Sequence, residues 1–213
     1  MDASELPLVG GHVALDLANT LDWDETRHDY LQSYDDLVVW FTRNPLVSPA
    51  DALAAGSISA KDGGRALARV GQLRAAVRSI LLAQLGVAQW REPDVVTALE
   101  LTSRRNAEAQ ARSALEPGRP GEPLVRKVGT LPAHLIEDRL AVAISDILTD
   151  PELHRLRRCP IDEGGCGWMF LDRSKNSSRT WCRMADCGNQ AKARRLTERR
   201  RKSREEQRSE VAP

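Results

Sequence analysis

All four cysteines of the chain, Cys159, Cys166, Cys182 and Cys187, fall within 29 of its 213 residues, and the preceding 158 residues hold none. In a reducing compartment, clustered thiols are more often metal ligands than disulfides, and four thiolates match the closed tetrahedral coordination of structural zinc. The spacing is six, fifteen and four residues between successive cysteines, not a pair of two-residue knuckles. Gaps of six and four need longer loops, which Gly164, Gly165, Gly167 and Gly188 permit. Two alternatives stand beside a single structural Zn2+: reduced core cysteines, or two disulfides. Four sulfur ligands leave no open coordination position, so Lewis-acid or hydroxide catalysis is not expected. The same stretch carries Trp168, Met169, Phe170, Leu171, Trp181 and Met184, a core too small to fold alone. Metal binding would then be folding energy, on the order of 10 kcal/mol.

Charge divides the chain. Residues 1–150 carry 15 Lys+Arg against 21 Asp+Glu, a balance of −6, while residues 151–213 carry 16 against 9, a balance of +7. The net +1 hides this asymmetry, which sets an acidic domain over 1–150 beside a basic one over 151–213. After Cys187, Lys192, Arg195, Arg199 and Lys202 recur at offsets of three, seven and ten, one side of a continuous helix. With Arg173, Lys175, Arg179 and Arg183 from the preceding loop they are candidate phosphate contacts, and DNA is the expected partner. Arg194, Arg200, Arg201 and Arg204 cover other sides of that helix, so a generic solvated tail, or one that meets RNA or an acidic protein, is the alternative. Leu196 is the only large apolar residue in the arginine-rich end, which therefore has no face to pack.

In the acidic part, His12, Asp16 and Asn19, with Thr20, Asp22 and His28 near them, could line a pocket for a small-molecule effector. The competing reading is that Asn19 and Thr20 simply form a turn. Sensing of an effector, or self-association as a homodimer, is the role left to this domain. No Ser-His-Asp order, phosphate-cradling glycine loop or dinucleotide fingerprint is present, so an enzyme is not expected. The most apolar stretch, 79–88, is broken by Gln84 and Gly86 and is too short to span a bilayer. The start, MDASELPLVGG, has acids where a secretory leader carries bases, and the expected compartment is the cytoplasm.

The elements that must hold these groups are mostly helical. Residues 9–17 read as a buried strand, with a helix start as the alternative. Ser33 with Asp36 resembles a helix N-cap pair, followed by an apolar face of Leu37, Val38, Trp40 and Phe41 up to Asn44-Pro45. Ser48-Pro49 opens a short helix that Gly56 ends. Residues 65–90 keep apolar positions three and four apart, with Arg65, Arg69, Arg74 and Arg78 on the other face. Pro93 opens a helix to about Arg105, the turn-rich 107–128 reads as a hairpin or loop, and 132–148 returns to helix before Asp150-Pro151. The expected class is α+β: a predominantly helical amino-terminal domain with a small β element, then a four-cysteine finger with a trailing basic helix.

Residues 159–194 resemble the CGNR-type zinc finger. The resemblance rests on Cys159, Cys166-Gly167, Phe170-x-Asp172-x-Ser174, Asn176-x-Ser178-Arg179-x-Trp181-Cys182-x-Met184, Cys187-Gly188-Asn189 and Lys192-x-Arg194. Gln190 stands where the name-giving arginine is expected, keeping hydrogen-bonding capacity but losing the charge and the bidentate fork. Upstream, Gly10-Gly11 and Leu15-Asp16-Leu17-Ala18-Asn19-Thr20 are similar to the opening of the ABATE domain that usually precedes this finger. The resemblance implies a stress-induced regulator of transcription.

Overall fold

The computed structural model describes residues 2–23, 28–44 and 47–210, and the side chains of the last helix as far as residue 203. The expected stop at Pro45 and the side chain of Arg204 lie outside the described residues. The architecture is α+β, with helices predominating and two small antiparallel sheets.

Local chemistry sets most of the helix starts. α2 (Tyr34–Thr42) and α3 (Pro49–Gly56) each begin in a capping box, Ser33 with Asp36 and Ser48 with Asp51, and Pro49 occupies the first turn. α4 (Ala60–Gln84) starts before the apolar periodicity does, because the Ser59 side chain accepts the Asp62 backbone N–H. Just past its end Gly86 takes a φ of +71°, a left-handed conformation that suits glycine. α5 (Pro93–Ala111) runs six residues beyond the expected Arg105. The segment after it is a hairpin, β1 (Ala114–Glu116) paired with β2 (Val125–Lys127). One tight turn at Pro132–His134 then leads into α6 (Leu135–Thr149).

One expectation is corrected here. Residues 9–17 are not a strand: the apolar run forms α1 (Val13–Ala18), with the His12 Nδ1 accepting the Ala14 N–H at 3.3 Å. All six residues of α1 are buried, and a segment covered on every side shows the same unbroken apolar run whether helix or strand. Three of the four arginines on the other face of α4 are held by the rest of the fold. Arg69 donates to Glu137 and to the Ala133 carbonyl, Arg74 clamps Asp29 at 2.7 and 2.6 Å, and Arg78 donates to the Ala18 and Leu21 carbonyls. These guanidiniums tie the long helix to α6 and to the loop that leaves α1.

α4, α5 and α6 pack side by side, and α1 lies against α4 and α6. Glu137 and Asp138 on α6 are fully buried, the first held by Arg69 and Arg105, the second by a fork from Arg112 at 3.0 and 2.5 Å. After α6 a tight turn at Pro151–Arg155 leads to β3 (Leu156–Arg158), which pairs antiparallel with β4 (Met169–Leu171). One apolar core runs through both parts of the chain, from Leu15, Trp40, Leu73 and Ile144 to Leu156, Met169 and Phe170.

Candidate metal centre

The β3–β4 hairpin carries the first two cysteines at the tip side of its strands. The Cys159 N–H donates to the Trp168 carbonyl at 2.9 Å, and between them the Gly165 N–H donates to the Pro160 carbonyl at 2.7 Å. This turn closes the six-residue gap, and it requires glycine: a Cβ at position 165 would stand 2.6 Å from the Cys159 Sγ and 2.7 Å from the Pro160 oxygen. The long connection to Cys182 is folded on itself by Asp172, whose carboxylate accepts the Ser174 and Arg179 N–H groups, both at 2.9 Å. Cys182 lies two residues before a single wide turn, Met184–Gly188, which itself holds Cys187 and where a Cβ on Gly188 would meet the Met184 sulfur.

The four sulfurs lie within 4.8 Å of one another. Cys166 and Cys182 are 3.3 Å apart and Cys182 and Cys187 3.7 Å. A tetrahedron of Zn–S bonds of about 2.3 Å has edges of about 3.8 Å, so the donor set and its spacing fit one zinc ion. The electrostatics agree. Hydrogen bonds from Cys166 and Cys182 hold the Cys159 thiol well below its usual range, while the hydrogen bond to Cys159 and burial push Cys166 and Cys182 up. Thiols this crowded cannot all ionise unless a cation sits among them. A second acidic group, His134, Glu137 and Asp138, also converges, but arginines already neutralise its two carboxylates.

The metal centre rests on the amino-terminal part. Asn19 accepts the Met169 N–H and donates to the Met169 carbonyl, both at 2.8 Å. The Leu171 N–H donates to the Gly10 carbonyl at 2.9 Å, while the Asp16 carboxylate accepts the Gly10 N–H at 2.8 Å. The effector pocket expected around His12, Asp16 and Asn19 is therefore corrected. His12 caps α1, and Asp16 and Asn19, only 6% and 1% exposed, are fully engaged with backbone. The polar residues of the Gly10–Thr20 stretch dock the finger instead of lining a cavity.

Of the expected phosphate contacts, Arg179 is likewise corrected. Its guanidinium stacks 4.3 Å from the Phe170 ring centroid and donates to the Val9, Trp181 and Cys182 carbonyls. Its Nε and Nη2 donors are used to close the metal loop on residue 9. Arg173, Lys175 and Arg183 are exposed beside the centre, Arg183 in a weak surface pair with Asp186 at 3.3 Å. Lys192, Arg195, Arg199 and Lys202 are exposed along α7 (Asn189–Glu210), which starts two residues after Cys187. Arg195 pairs with Glu163, and Arg194 lies over Gly164, where a Cβ would meet its guanidinium and where the φ of +89° suits glycine. Gln190, in the first turn, lines a cleft with Arg183, Asp186 and Cys187. Arg158 and Trp23, taken up below, carried no spacing signal in the sequence.

Residues 155–200 match the CGNR zinc finger, and residues 11–151 match the ABATE family, described as "Putative stress-induced transcription regulator". The second match takes in more than half of the chain, which belongs to the ABATE family. No curated protein matches it. Among the described residues no helix is long and apolar enough to cross a membrane.

Proposed function

We propose that this chain is a DNA-binding regulator of transcription, acting in the cytoplasm without a catalytic step, in which one structural Zn2+ aims a basic helix at the phosphate backbone. The observation that carries the reading is the junction at Cys187. The last metal ligand lies two residues before α7, and Arg194 and Arg195 latch the next turns of that helix onto the 163–164 loop. An ordered metal centre thus fixes the direction of Lys192, Arg199 and Lys202, whose charges have no acidic partner among the described residues. The helical body is left the role of sensing a small molecule or of pairing two copies.

Duplex DNA binding by the zinc-loaded full chain, followed by fluorescence anisotropy across a salt series, tests this. Affinity is expected to fall with a log-log slope of about 0.9 per phosphate contacted. Replacing Lys192, Arg199 and Lys202 together with alanine should flatten that slope by about three such contacts, and a chelator should abolish binding. Tight binding that ignores salt would overturn the reading. The uncharged Gln190 favours a second one, an RNA or acidic-protein partner, which preferential binding of RNA over duplex would support.

A further inference from the structure

Three arginines contributed by both parts of the chain face one cleft of about 550 Å³ beside Trp23. Arg74 and Arg78 come from α4 and Arg158 from the end of β3. The first two have structural work. Arg74 is neutralised by Asp29 and also donates to the Thr20 hydroxyl at 3.1 Å, and Arg78 holds the Ala18 carbonyl at 2.7 Å. Arg158 differs. Its Nε donates to the Gly167 carbonyl at 3.3 Å and its guanidinium lies 4.9 Å from the Trp23 ring centroid. No carboxylate among the described residues pairs with it, although it is half-buried.

Trp23 sits between two of these arginines. Its ring is flanked by Arg78, at 3.4 Å, and by Arg158, and its Nε1 is shielded from solvent with no acceptor among the described residues. Asp22, the one carboxylate lining the cleft among the described residues, already accepts the Tyr30 hydroxyl at 3.1 Å and the Trp168 Nε1 at 3.3 Å. Ala75, Leu82 and Val87 add apolar surface to the lining. Among the described residues the lining is rich in donors and poor in free acceptors, with apolar surface beside them, and such a site selects for an oxyanion on an apolar body.

We propose that this cleft binds a small organic anion, its carboxylate or phosphate oxygens held by the Arg158 guanidinium and its apolar part resting on Ala75, Leu82 and Val87. Such a ligand would bridge the finger, through the residue preceding Cys159, to the helical body, through α4. This gives the effector role a site distinct from the corrected one around His12, and it does not depend on what α7 binds.

The test is calorimetric titration of the zinc-loaded full chain with inorganic phosphate, benzoate and phenyl phosphate. Saturable binding of one aryl anion per chain is expected, tighter for phenyl phosphate than for phosphate alone. Arg158→Gln removes a charge-assisted contact and should weaken binding roughly tenfold or more. Ala75→Phe, at an exposed position on α4, should block it by filling the apolar part of the cleft. Circular dichroism and zinc content report folding, and if Arg158→Gln does not fold, Ala75→Phe decides alone. No saturation with any of the three probes overturns the proposal, as does binding that survives both substitutions. So does loss of zinc affinity in Arg158→Gln with no anion binding in the parent, because Arg158 would then serve only to balance the thiolates. Duplex binding measured separately keeps a failure here distinct from a failure of the DNA reading.

Discussion

Both ends of the Asn19 amide are engaged with the backbone of Met169, in a position only 1% exposed. Removing the amide strands a buried N–H and a buried carbonyl at about 1–3 kcal/mol each. Asn19→Ala is therefore expected to lower the stability of the zinc-loaded chain by about 3 kcal/mol in urea unfolding, while Asn176→Ala, on the exposed loop, changes it by about 0.5 kcal/mol or less. Asp16 behaves differently because burial raises its carboxyl from 3.8 to about 6, against the opposing pull of the Gly10 and Val9 N–H groups. A carboxyl that holds its proton more tightly folded than unfolded favours the fold fully below its ordinary value, and that favour disappears as pH rises through 6. Between pH 4 and 6.5 the stability of the parent should decline by at most about 3 kcal/mol from this group. Asp16→Asn should remove that part of the decline, and equal pH dependence in the two proteins would refute the assignment.

At the scale of elements, what the sequence made legible was what local chemistry dictates. The serine caps at 33 and 48, the hairpin around 117–123, the stripe of α6 and the four-cysteine cluster all depend on neighbours within a few residues. What stayed hidden depends on distant ones. α1 reads as a strand because its cover comes from α4, α6 and β4 at once, and the anchoring of the α4 arginines does not show because Glu137, Asp29 and the loop carbonyls lie far off in the chain. The same distance hid Arg179, whose partner carbonyl on Val9 is 170 residues away. The metal loop itself allows a sharp test, since position 165 has no space for a methyl group whereas Gly64 on α4 has nothing within 4 Å. Gly165→Ala should weaken zinc binding by about tenfold or more in a chelator competition. Gly64→Ala should leave zinc binding unchanged and stabilise the helix by up to about 1 kcal/mol.

For the whole molecule, the shared core means that the finger is not a bead on a string. Met169 and Phe170 belong to the same apolar cluster as Leu15 and Leu17, so withdrawing zinc should disturb both. Hydrogen exchange after chelation is expected to quicken at residues 156–171 and also at 15–19, while α4, α5 and α6 stay protected. Unchanged protection at 15–19 would show that the two parts are energetically separate. The link between Asn19 and Met169 also bears on how the protein is born. Its two sides are 150 residues apart, and closing so long a loop is slow and entropically costly. During synthesis α1 leaves the ribosome well before residues 169–171, which supply its last neighbour. Over that interval the nascent chain displays an incomplete apolar surface, the kind chaperones recognise, and capture of the metal closes assembly instead of starting it.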